Sequence, residues 1–155
     1  LDYGCGGSDW NLKDLDESGL SAKEFYNLES CYRYEPARNI DERKNVDCVI
    51  CFDVLEHIYI EDIEKIICDI FSNATKLVII NIACYPAAAL LPNGENAHIT
   101  VRHPQWWKAF IDSVCLKFPE VSVLLLTSTS WRNTQAFPIQ KASDWMNSTK
   151  FVTLG

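Results

Sequence analysis

The chain has 155 residues, 48 % hydrophobic and 23 % charged, the balance of one globular domain and not of extended disorder. Its 14 basic and 21 acidic residues leave a net charge of −7, which repels phosphate backbones and argues against a nucleic-acid partner. No stretch approaches the roughly 20 apolar residues that a membrane span needs.

Leu1–Tyr3 reads as the end of a buried strand and Gly4–Gly7 as a turn. The chain opens on strand residues without an initiator Met or a signal peptide, so the sequence reads as a fragment lacking a leading segment. Trp10, Leu12 and Leu15 give Ser8–Gly19 a weak helical period, with Gly19 as its stop. Ser21–Ser30 adds a short helical turn, Phe25 and Leu28 on one side. Cys31–Tyr34 is a second strand, ended by Glu35 and Pro36, because proline cannot continue it. Ala37–Asn45 is polar, a loop with room for one short strand.

Val46–Phe52 is nearly all apolar and β-branched, the pattern of a central strand buried on both faces. Ile60, Ile63, Ile66, Ile67, Ile70 and Phe71 then recur at helical spacing between charged residues, the clearest amphipathic helix in the chain. Lys76–Ile82 is another buried strand, and Tyr85–Val101 a long loop. Pro104 suits a helix start, with Trp107, Phe110, Ile111, Val114 and Phe118 on one face and Pro119 at the end. Val121–Thr127 is a strand, Ser128–Lys150 polar and irregular, and Phe151–Leu154 a last strand.

Strands alternating with amphipathic helices predict an α/β fold with a mostly parallel sheet, in one domain over residues 1–155. The two closing strands lack a helix between them, which predicts an antiparallel edge. The seven cysteines are odd in number and lie mostly in apolar runs, so the expected compartment is the reducing cytoplasm. Cys48 and Cys51, three apart on one strand, face opposite ways, and no second Cys or His pair completes a metal site with them, so no metal is expected.

In open α/β sheets ligands bind at the carboxyl ends of the strands. Three such ends carry unusual residues. Asp2-Tyr3-Gly4-Cys5-Gly6-Gly7 is a glycine turn that lets backbone approach a ligand. Glu35, ending the second strand, can accept both hydroxyls of a ribose. Asp53-Val54-Leu55-Glu56-His57 follows the central strand directly.

Taken together, these segments resemble class I S-adenosylmethionine-dependent methyltransferases. Asp2 to Gly6 is similar to the family's first motif, Asp47 to His57 to its strand-four motif with the Leu-Glu-His ending, and Tyr34-Glu35-Pro36 to its acidic second strand end. Leu91 to His98 and the pair Trp106-Trp107 resemble compact bacterial and phage members. The likeness runs from Leu1 to about Phe118. It implies a Rossmann-like three-layer sandwich that takes S-adenosyl-L-methionine, releases S-adenosyl-L-homocysteine and methylates a small molecule. By the same resemblance Gly4, Cys5 and Gly6 pass beside the methionine part, and Asp2 holds its amino group. Glu35, followed by Pro36, binds the ribose, while Asp53, Val54 and Leu55 line the wall near the sulfonium.

Two departures stand out. Position 8 is Ser where many members carry a third glycine. Only the ten residues Pro36–Asn45 separate Glu35 from the central strand, which shortens the region between strands two and four and leaves the adenine contact unassigned. A dinucleotide site would need a further glycine where Asp9 stands, and no P-loop sequence is present. The alternative reading is a catalytically silent cofactor-binding module, or a subunit that needs a partner. For acceptors that must lose a proton, His57 and His98 are the candidate bases, with Asn81 and Tyr85 as pocket walls. His103, before Pro104, reads as a helix-start residue, and Glu56 as a residue behind the contacts.

Overall fold

The structure, a computed structural model, describes residues 1–13, 17 and 19–144. The sheet grows outward from the most apolar segment. β4 (Val46–Phe52) pairs in parallel with β1 (Asp2–Tyr3) on one side and β5 (Ala74–Ala83) on the other. β2 (Arg33–Glu35) lies parallel to β1, and the two-residue β3 (Ile40–Asp41) runs antiparallel beyond it. On the far side β6 (Ser122–Ser130) is parallel to β5, and β7 (Asn133–Ile139) returns antiparallel along β6. The seven strands thus form one sheet, ordered β3-β2-β1-β4-β5-β6-β7, parallel in its centre and antiparallel at both edges. This α/β arrangement is compatible with a Rossmann-like fold.

One face of the sheet carries the core. Val49 aligns with Val78 and Val123, and Cys51 with Ile80 and Leu125, in rows that are 0–2 % exposed. Two helices cover these rows. α2 (Ile63–Ser72) brings Ile63, Ile67, Ile70 and Phe71, and α3 (Pro104–Cys115) brings Trp107, Ile111 and Val114. Each such side chain contributes roughly 1.5–3 kcal/mol on burial. α3 starts as its sequence predicts, with Pro104 at its first turn and the His103 ring accepting from the Gln105 amide. At the far end of β1 the Tyr3 hydroxyl donates to Asp69 of α2 at 2.6 Å, and Arg43 bridges Asp69 and Asp41.

Among the described residues the expected third layer is reduced to the turns at Ser8–Lys13 and a short helical turn at Ala22, which share a cleft with Ile50 and Phe52. α2 and α3 contact each other on the same face. The opposite face keeps Cys48, Ile50, Leu77, Ile79, Leu124 and Leu126 only partly covered, and Phe52 is 43 % exposed. Cys48 and Cys51 do face opposite ways, and all seven cysteines are free. The expected helix over Ser8–Gly19 is replaced, through Lys13, by turns that spend Trp10 on a polar contact and leave Leu12 53 % exposed. The helical turn follows at α1 (Ala22–Phe25), closed by a capping box between Ser21 and Glu24. β7 lies inside the segment read as irregular. It is an edge strand with mostly exposed side chains, so it shows no apolar alternation, and Pro138 can sit there without a lost ladder bond. The antiparallel edge is therefore made by β7, while the strand expected at Phe151–Leu154 lies outside the described residues. No helix among the described residues is long and apolar enough to cross a membrane.

Candidate functional site

From β1 the chain winds outward to β2 and β3, then crosses back to β4. The order reverses between β1 and β4, where an open α/β sheet leaves a crevice. A cleft of about 450 Å³ lies at this point, within the size range of small-molecule sites. Its walls are Asp2, Gly4 and Cys5 from the end of β1, Ile50 and Phe52 from β4, and Trp10 from the turns above.

The glycine turn is built for two different reasons. Gly4 has φ +80°, and a Cβ there would stand 2.4 Å from Val54 Cγ2, so a close approach of two strand ends demands glycine. Gly6 has φ +56°, but a Cβ there would meet nothing within 4 Å. Its side is open. The Gly4 and Cys5 amides both donate to the Tyr34 carbonyl, at 2.8 and 3.2 Å, pinning the turn to β2. The Cys5 thiol is pushed up by burial and by the carboxylates of Asp2 and Glu35, which makes it an inert wall.

Asp2 points into the cleft, where its Oδ2 accepts from Trp10 Nε1 at 2.8 Å. Burial raises its carboxyl above the usual range, and the Trp10 bond offsets part of that. Glu35 does not line the cleft. Its Oε2 accepts from the Gly6 amide at 3.0 Å and its Oε1 from the Ala37 amide at 3.1 Å, capping the 3-10 turn Pro36–Arg38. The carboxylate is thus a latch between the glycine turn and the end of β2, and each oxygen keeps a lone pair for a further donor. Pro36 is exposed at the first position of that turn. Arg38 lies against Gly7, with Nη2 3.6 Å from where a Cβ would stand.

At the end of β4, Asp53 takes φ +55°, which an Asp tolerates better than most residues, and its Oδ1 accepts from Asn81 Nδ2 at 2.8 Å. Val54 packs on Gly4. Leu55 departs from the expected wall: it is fully buried in the hydrophobic core. Glu56 is fully buried as well. Its Oε1 accepts from the Ala83 amide at 2.9 Å, its Oε2 has no partner, and desolvation holds its carboxyl above the usual range. Burial pushes the Cys51 thiol up, with smaller contributions from Glu56, Asp2 and Asp53.

The long loop after β5 docks onto the segment after β4. The Thr100 amide donates to Glu56 O at 2.9 Å and the Thr100 hydroxyl to Ile58 O at 2.7 Å. Asn96 orders the loop from within, exchanging bonds with the Ala87 backbone in both directions and accepting from the His98 amide. This docking sets the His98 ring edge-on to His57, with centroids 4.9 Å apart, and beside Tyr85. The two candidate bases thus meet, Asn81 holds Asp53 and Tyr85 packs on His98, and none of these residues lines the cleft at the β1–β4 reversal.

Sequence reasoning missed Trp10 as the partner of Asp2 and Asn96 as the organiser of the loop. An indole near a carboxylate in sequence carries no directional signal. The Asn93-Gly94 turn marked the loop, but not the residue that holds it. Comparison with protein-family models, with curated proteins and with solved structures gives no match.

Proposed function

We propose that the chain is an S-adenosyl-L-methionine-dependent methyltransferase acting on a small molecule. The observation that carries this reading is the cleft at the β1–β4 reversal, lined by Asp2 and by Gly4, Cys5 and Gly7 of the glycine turn. The Asp2 carboxylate in the cleft suits a cationic group such as an ammonium or a sulfonium.

The residues divide by task. Asp2 accepts from the amino group of the methionine part. Glu35, already oriented by two backbone amides, has lone pairs left for ribose hydroxyls. Asp53 and Val54 wall the sulfonium side. The bound cofactor supplies an electrophilic methyl group whose departing thioether is neutral, so no general acid is required. Holding acceptor and methyl group in line is worth roughly 7–11 kcal/mol. Where the acceptor must lose a proton, His57 and His98 stand at the carboxyl edge of the sheet to take it, worth about 10²–10⁴-fold.

The test is release of S-adenosylhomocysteine during incubation with pooled small-molecule acceptors. At least one pool drives release above the background rate, and His98→Ala lowers that rate while leaving S-adenosylhomocysteine affinity within about twofold. Cofactor binding without release from any pool would instead favour the silent module.

A further inference from the structure

We propose that Glu56, His57 and His98 form a binding site for a divalent first-row transition ion. A carboxylate oxygen of Glu56 and one ring nitrogen of each histidine all lie within 4.8 Å of one another. Two details of the surroundings prepare these groups as ligands. The His57 Nδ1 lies 2.7 Å from the Ala97 carbonyl, and the His98 Nδ1 lies 2.5 Å from the Tyr85 carbonyl. A carbonyl only accepts, so each Nδ1 carries a proton and Nε2 is the nitrogen left to coordinate. Histidine ligands are held in this way by groups behind them, which fix the tautomer and the ring orientation.

The third group is a fully buried carboxylate with one unpartnered oxygen. An orphaned buried acceptor is destabilising, more so when charged, and a cation relieves that cost. The other oxygen is fixed by the Ala83 amide, so the carboxylate is oriented from the protein side. Two imidazoles and one carboxylate select transition ions over magnesium and calcium, which prefer all-oxygen sites. Metal–nitrogen bonds are about 2.0–2.1 Å, so the ligands close up on binding, the shift falling on His57, the exposed member. Three protein ligands leave coordination positions open, as in sites that take a substrate atom. With the ion bound both Nε2 lone pairs are engaged, so the rings serve as bases only in the ion-free protein, and an oxygen-bearing acceptor in an open position would instead be oriented and made more acidic by the ion. That role rests on the methyl-transfer reading, whereas the ion site itself does not.

The experiment uses the unaltered chain first. Mn²⁺ added in small aliquots broadens the ring signals of His57 and His98 by paramagnetic relaxation, before those of His103, the third histidine, which caps α3. Equal broadening of all three, or none, overturns the site. Co²⁺ titration followed by calorimetry and visible absorption then gives one equivalent bound without thiolate-to-cobalt charge transfer. His98→Ala and His57→Ala each weaken binding at least about tenfold, and His103→Ala leaves it unchanged. A thiolate band, or affinity indifferent to both substitutions, assigns the ion to cysteines and overturns the proposal. S-adenosylhomocysteine affinity measured without metal reports on the methyl-transfer reading separately, so the two failures are distinguishable.

Discussion

Asp2 shows how one side chain trades stability for binding. Burial disfavours its charge more than the Trp10 bond at 2.8 Å favours it, so its carboxyl titrates above the ordinary 3.8. The folded chain therefore holds that proton more tightly than the unfolded chain. Ionisation of Asp2 costs nothing below the ordinary value, and the cost is complete once the pH passes the raised value. Asp2→Asn should then gain stability relative to the parent as the pH rises from about 4 to 7, followed as the difference in melting temperature. The same variant should weaken S-adenosylhomocysteine binding at pH 7, because the amide cannot pair with an ammonium. A difference that is flat with pH would show that Asp2 pays no burial cost. The two glycines of the turn separate in the same assay. Gly4→Ala drives a methyl into Val54 and should destabilise by about 1–3 kcal/mol. Gly6→Ala faces open space and should cost only the left-handed backbone penalty of about 1–2 kcal/mol, while Gly6→Val should abolish ligand binding in a folded chain, checked by circular dichroism.

At the scale of elements, the segments that bury a face were legible in the sequence. β4 matches its apolar run residue for residue, and α2, β5 and α3 follow from period and from Pro104. β7 was not legible, because an exposed edge strand needs no apolar alternation. The turns at Ser8–Lys13 were misread as helix, because Trp10 and Leu12 mimic a helical stripe while serving the cleft. The glycine turn and the strand ends gave the site its location, and Glu35 its place at the end of β2. Leu55 was misplaced because a residue after a strand end turns either to the ligand or to the core, and the spacing is the same. The meeting of His57 with His98 was invisible, since it depends on Thr100 and Asn96 docking a loop across forty residues of chain. Packing within β6 leaves one polar loose end: Thr127 is fully buried and its hydroxyl has no partner. Thr127→Val keeps the branched shape and removes the orphan, so it should raise stability by about 1 kcal/mol in urea unfolding. A loss of stability would reveal a partner for that hydroxyl.

The whole molecule places α2 and α3 on one face of the sheet and its cleft where the strand order reverses, so the ligand edge is formed by strand ends anchored in the core. The Glu35 latch ties that edge together, because it joins the glycine turn to the end of β2 through two backbone amides. The central claim is that this edge binds the methyl-transfer cofactor. The direct measurement is titration calorimetry of the chain with S-adenosylhomocysteine, repeated on Glu35→Ala. We expect saturable binding near one equivalent, weakened in the variant by about 1.5–3 kcal/mol, the scale of hydrogen bonds to a charged group. Absence of binding up to millimolar ligand, or equal affinity in the two proteins, would contradict it.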